Sequence, residues 1–261
     1  MKVKGHGRQP MMFAHGFGCD QNMWRFVAPA FEDRFKVVLF DHVGCGGSDI
    51  GAYSIERYRT LEGYAQDIVE IAEALDLKDI IFVGHSVSSM IGVLAAKMAP
   101  ERFANLILIV PSACYIDSPG YQGGFVRSDL EGLLELMERN YVGWASFLAP
   151  VVMKNEDKPE LRKELETSFC AADPDIARRF AAVTFLSDRR SDLSGFNQPT
   201  LIIQCTDDAI APASAIKFVH DSIAGSVLST LVADGHCPHM THPRETIEAM
   251  NSYLSRQSPP K

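Results

Sequence analysis

The segment Ile80–Met98, IIFVGHSVSSMIGVLAAKM, constrains this chain more than any other. It opens on an apolar run, Ile80–Val83, bounded by Asp79 and Gly84. An apolar run without polar alternation suits a strand covered on both faces, as in a parallel sheet. Beyond Gly84-His85-Ser86-Val87-Ser88, small and apolar residues continue through Met90, Ile91, Val93, Leu94, Ala95 and Ala96, which predicts a buried helix. A serine at a sharp strand-to-helix turn is held strained. Its hydroxyl stands exposed above the sheet, beside the unpaired first N–H groups of the helix. The usual pattern there is G-x-S-x-G; here the last position is Ser88, small but not glycine. A serine that merely caps a helix is the plainer alternative.

The rest of the chain supplies a setting for that turn. Met11–Ala14, Lys36–Phe40, Leu106–Val110, Thr200–Cys205 and Val227–Val232 are further runs of strand length, and Val3–Gly7 could form part of an edge strand. Thr60–Leu77 reads as an amphipathic helix with Leu61, Tyr64, Ala65, Ile68, Ile71, Ala72 and Leu75 on one face. Met23–Phe31 also has helical spacing, Arg244–Leu254 reads as a closing helix, and Ser255–Lys261 as a polar tail. Regular strand–helix alternation predicts an α/β protein with a mostly parallel sheet and crossover helices. The alternation breaks between 112 and 197. Helices are predicted there at about Ser128–Asn140, Val142–Val152, Pro159–Phe169 and Asp173–Ser187. This stretch is read as a helical cap inserted into a core made of 1–111 and 198–261. Its aromatic content predicts an apolar pocket over Ser86.

Composition narrows the function. A chain of 261 residues with 46% hydrophobic content can bury one α/β core with an insertion. A net charge of −8 argues against nucleic acid and anionic membrane surfaces as partners. No apolar run is long enough to span a bilayer, and Met1-Lys2-Val3-Lys4-Gly5 opens no signal-peptide hydrophobic region, so a cytoplasmic protein is expected. The six cysteines are scattered without a C-x-x-C pair, which predicts free thiols. Cys237, beside His236, is the one cysteine to weigh as a nucleophile, and it ranks behind Ser86.

Three further stretches point to chemistry. His15-Gly16-Phe17-Gly18 follows the strand Met11–Ala14; a glycine-flanked turn there can present the Phe17 N–H, with that of Val87, as an oxyanion hole. Thr206-Asp207-Asp208 ends one late strand, and Ala233-Asp234-Gly235-His236 ends the last. The chain order Ser…Asp…His supplies what serine chemistry needs: a nucleophile, a base to take its proton, and a carboxylate to fix the base. Ser86, Asp208 and His236 fit, with Asp207 as the competing acid. The glycine-rich loop Asp41–Asp49 matches neither common phosphate-binding pattern and reads as a structural turn bordering the site. His236, His239 and His242 lack the spacing of a zinc helix, and Pro238 and Pro243 interrupt any helix across them. No metal and no cofactor is expected.

With these residues in hand the whole chain resembles an α/β-hydrolase, and more narrowly the RsbQ-like group. That group joins a bacterial stress-signalling hydrolase to the plant karrikin and strigolactone receptors. The resemblance rests on HGFGCDQNMW (His15–Trp24), LEGYAQDI (Leu61–Ile68), GHSVSSMIG (Gly84–Gly92), NYVGWA (Asn140–Ala145) and DGHCPHMTHPRETI (Asp234–Ile247). It implies up to eight core strands, a four-helix cap, catalytic Ser86, Asp208 and His236, and oxyanion donors at Phe17 and Val87. It further implies a small hydrophobic cavity bordered by Phe17, Phe125, Trp144 and Phe185. The chain departs from the family in starting almost at the usual second strand. The expected activity is an esterase acting on a small, apolar, neutral ester or lactone. The alternative is a slow, ligand-sensing regulator that signals to a protein partner, for which the resemblance suggests a serine phosphatase carrying a PAS sensor.

Overall fold

The computed structural model describes residues 1–257, so the end of the expected polar tail, 258–261, lies outside the described residues. Seven strands form one sheet: β1 (Lys2–Lys4), β2 (Pro10–Ala14), β3 (Lys36–Leu39), β4 (Ile80–His85), β5 (Phe103–Ile109), β6 (Thr200–Asp207) and β7 (Val227–Asp234). Their order is β1-β3-β2-β4-β5-β6-β7; only β1 runs antiparallel to its neighbour. Every residue of β2 and of β4 is buried, which is why both read as unbroken apolar runs. β1 is exposed throughout and too short to carry a pattern.

Helices α1 (Leu61–Ala74) and α2 (Val87–Met98) pack on each other, and α1 buries Leu61, Tyr64, Ala65, Ile68 and Ala72, the face its periodicity marked. Four helices stand between β5 and β6: α3 (Arg127–Arg139), α4 (Tyr141–Met153), α5 (Pro159–Ala171) and α6 (Pro174–Phe185). Asn140 caps α4 on Gly143, and Asp173 caps α6 on Asp175 and Ile176; α5 and α6 each start on proline. Helices α7 (Ala213–Ser222), α8 (Pro238–Thr241) and α9 (Pro243–Leu254) complete the fold, with α9 on β6 and β7.

One helical expectation fails. Met23–Phe31 is not a helix but two short 3-10 turns, Gln21–Trp24 and Ala28–Phe31. Pro29 cannot donate the backbone bond that would join them. Trp24, Val27, Ala28 and Phe31 are buried all the same, so the apolar face is right although the helix is not.

Candidate active site

Ser86 sits between β4 and α2 with φ 56° and ψ −123°, a conformation non-glycine residues rarely adopt. The sheet enforces it: the Ser86 N–H donates to the Ile109 carbonyl at 2.9 Å, continuing the β4–β5 ladder to the turn. Ser88 explains the missing glycine. It is fully buried, and its hydroxyl donates to the His15 carbonyl while His42 Nε2 contacts the same oxygen at 2.8 Å. His15 Nε2 in turn accepts the His42 N–H at 3.0 Å. The residue that breaks the G-x-S-x-G pattern thus ties the elbow helix to the loop carrying Phe17.

Two strand ends deliver the other groups. His236 Nε2 lies 2.7 Å from Ser86 Oγ, and His236 Nδ1 lies 2.7 Å from Asp208 Oδ2. The second Asp208 oxygen accepts the N–H groups of Ile210 at 2.8 Å and Ala211 at 3.1 Å. Burial alone would raise the Asp208 carboxyl, but His236 and these bonds hold it below the ordinary carboxylate value. Asp207, the competing acid, points to the surface and pairs with Lys154 at 2.6 Å. The carboxylate fixes the proton of His236 on Nδ1 and leaves Nε2 free to accept the serine proton.

The loop around His236 is tied to the far end of α4. The His236 N–H donates to the Val152 carbonyl at 2.8 Å, and Asn155 Nδ2 donates to the Asp234 carbonyl at 2.7 Å. Gly235 has φ +86°, and a Cβ there would stand 2.4 Å from the Met153 carbonyl oxygen. The connector itself is strained: Lys154 has φ 48° and ψ −132°, dihedral angles like those of Ser86. His85 Nε2 donates to the His236 carbonyl at 2.7 Å, giving the same loop a third anchor.

The Phe17 and Val87 N–H groups form no hydrogen bond to the protein among the described residues. A cavity of about 30 Å³ lies over Ser86, with Phe17, Phe169, Phe185, Leu148, Thr184 and His236 in its wall. Phe17 is the centre of an aromatic cluster, within 6.2 Å (ring centroids) of Trp144, Phe169, Phe180 and Phe185. Of the four residues expected to border the cavity, Phe17 and Phe185 do so. Trp144 stands one layer back, against Phe17 and Phe169, and Phe125 lies outside the wall. Tyr115, which carries no motif, brings its hydroxyl to 3.5 Å from Ser86 Oγ. Burial drives its phenol upward, so it stays protonated. Cys237 also lines the cavity, but burial pushes its thiol well above the ordinary value, against a thiolate role. The glycine-rich loop folds on itself, with Asp41 accepting from Gln21 and from the Gly47 N–H at 3.1 Å. His239 and His242 do not join His236: the former packs at a tilt between Trp24 and His85, and the latter bonds Thr241.

A sequence profile described as the alpha/beta hydrolase family matches residues 11–249. The chain belongs to that family. It is similar to the karrikin insensitive 2 receptor CA of Petunia hybrida, with 36% identity over 97% of this chain and 94% of the relative. It is also similar to a strigolactone esterase of Arabidopsis thaliana, with 33% identity over 98% of this chain and 96% of that one. A solved hydrolase from Oleispira antarctica superposes with a TM-score of 0.96 at 43% identity, covering 98% of this chain and 94% of its own. The alpha/beta hydrolase fold accounts for the strand order, the strained serine and the placement of the acid and histidine at successive strand ends. No helix of the described residues is long and apolar enough to cross a membrane.

Proposed function

We propose that this hydrolase cleaves a small, neutral, largely apolar carboxylic ester or lactone through an acyl-enzyme on Ser86. The reading rests above all on the unbroken chain Ser86 Oγ–His236 Nε2 and His236 Nδ1–Asp208 Oδ2, each link 2.7 Å. His236 takes the serine proton as Oγ attacks the carbonyl carbon. The oxyanion is held by the N–H groups of Phe17 and Val87, and the imidazolium returns its proton to the departing alkoxide. Water, deprotonated by His236, then releases the acid and restores Ser86. Residues 112–197 act as the cap that closes this site over the core of 1–111 and 198–261. The six unpaired cysteines suit a cytoplasmic setting. The test is pre-steady-state hydrolysis of p-nitrophenyl acetate and butyrate. A nitrophenol burst present in the wild type and absent in Ser86→Ala is expected; unchanged turnover in the variant overturns the proposal.

The small cavity favours a second role. About 30 Å³ holds a water or two and no ester, so ligand entry requires the surrounding helices to rearrange. A relative named as a receptor stands beside this geometry. On this reading the protein turns over slowly, and a ligand-dependent cap signals to a protein partner such as a serine phosphatase with a PAS sensor. Ligand-dependent capture of that phosphatase supports it; fast turnover without capture rejects it.

A further inference from the structure

Thr184 lies in α6, is 1% exposed, and forms part of the cavity wall with Ser86 and His236. Its Oγ1 is buried and has no hydrogen-bond partner among the described residues. Helical threonines commonly bond the carbonyl one turn back. Three others among the described residues do so: Thr167 donates to the Lys163 carbonyl at 2.8 Å, Thr241 to the Cys237 carbonyl at 3.2 Å, and Thr246 to the His242 carbonyl at 2.9 Å. Thr184 does not, although it has the same option within its helix. Most of the wall around it is hydrocarbon, from Phe17, Phe169, Phe185, Leu148 and Ile210. A valine would fill the same volume, so the hydroxyl serves no contact within the protein itself and is available to whatever enters the chamber.

We propose that Thr184 is the polar anchor of the substrate pocket, donating its hydroxyl proton to a second oxygen of the substrate, distinct from the reacting carbonyl. The substrate class is then narrower than apolar esters. It is the oxygen-substituted set, alkoxy or oxo esters and lactones with a further acceptor, bound in an otherwise apolar chamber. The inference rests on the reading of Ser86 as the nucleophile. A site built to bond one oxygen discriminates against the analogue that lacks it more sharply than an apolar site discriminates by size.

The test compares p-nitrophenyl methoxyacetate with p-nitrophenyl butyrate, which differ by one ether oxygen in place of a methylene. Homologous 3-methoxypropionate and valerate esters move that oxygen one bond further out. Wild type, Ser86→Ala and Thr184→Val are measured side by side. Thr184→Val is expected to lower kcat/KM for an ether ester by about five- to tenfold more than for its hydrocarbon counterpart, the size of one neutral hydrogen bond. The melting temperature of empty Thr184→Val should not fall below that of the wild type, since the hydroxyl holds no protein group. Equal losses on both members of each pair, or a lower melting temperature, overturn the proposal by making the hydroxyl structural. Binding of the same esters, read as ligand-induced thermal shift in Ser86→Ala and Ser86→Ala/Thr184→Val, separates anchor from nucleophile. Hydrolysis that survives in Ser86→Ala rejects the nucleophile alone. An absent preference for the ether esters in the shift rejects the anchor alone.

Discussion

Replacing Asp208 with asparagine should disable the site without disturbing its shape, because the structure dictates which way the new amide faces. One Asp208 oxygen accepts two backbone N–H groups, from Ile210 at 2.8 Å and Ala211 at 3.1 Å. Only an oxygen can stay there, since an amide NH2 would meet two donors. The NH2 is therefore turned to His236 Nδ1, 2.7 Å away in the native protein. Nδ1 becomes the acceptor, the imidazole proton moves to Nε2, and Nε2 can no longer take the Ser86 proton. Loss of the correct tautomer and of the charge facing the imidazolium costs about 10³–10⁴-fold in kcat, or about 4–5.5 kcal/mol of barrier. The assay is the nitrophenol burst rate with p-nitrophenyl butyrate, alongside KM and thermal melting. KM and the melting curve should stay near wild type. Asp207→Asn is the control: its carboxylate is 60% exposed and, among the described residues, pairs only with Lys154, so activity should hold within about twofold. A burst rate for Asp208→Asn within tenfold of wild type refutes the reasoning, and a large loss in Asp207→Asn instead would exchange the roles of the two acids.

Two other changes probe the supports. Ser88→Ala leaves His42 Nε2 and the His15 carbonyl without their shared partner, a loss of about 1–3 kcal/mol; the expected result is a lower melting temperature with kcat reduced more than KM is raised, and a variant unchanged in both would remove Ser88 from the oxyanion loop's support. His239→Phe addresses acid stability. Burial depresses His239 and His42, and burial with the neighbouring His236 brings His85 down to about 3. Between that value and the ordinary 6.5 the folded protein binds fewer protons than the unfolded chain, so stability is complete above pH 6.5 and lost as pH falls. Phenylalanine removes one such group and two ring nitrogens without a partner among the described residues, while keeping the ring contacts with Trp24 and His85. Its melting temperature should therefore fall less steeply than wild type between pH 6.5 and 5; parallel slopes would contradict this account.

Much of the fold was legible because it is written in local pattern. β2 and β4 are buried on both sides and so read as solid apolar runs. The face of α1 repeats at helical spacing, and the four helices between β5 and β6 interrupt an otherwise regular alternation. Pro29 shows the limit of spacing alone, since Met23–Phe31 has the apolar face of a helix without its backbone bonds. Helix α7 left a weaker signal, with Ala215, Ile216 and Val219 as its buried face in only ten residues. In the site, Ser86, Asp208 and His236 could be ordered from sequence because each follows a strand. The choice between Asp207 and Asp208 depends on which way adjacent side chains point at a strand end, and only the fold decides that. Thr184 reaches the cavity, and Tyr115 reaches Ser86, from segments whose local sequence encodes helix or loop and nothing of what lies across from it. The role of Ser88 was equally hidden, since its partners His15 and His42 come from two other strand ends.

The bond from the His236 N–H to the Val152 carbonyl makes one segment answer to two demands. The end of α4 roofs the chamber through Leu148 and Val152, and the same end holds the loop of the base. Displacing it far enough to enlarge the chamber breaks the hydrogen bond to His236 and pulls on Asn155 and Gly235 as well. Any displacement of this end of α4 would therefore be felt twice, in the width of the chamber and in the anchoring of the His236 loop, which makes the roof and the histidine one mechanical unit.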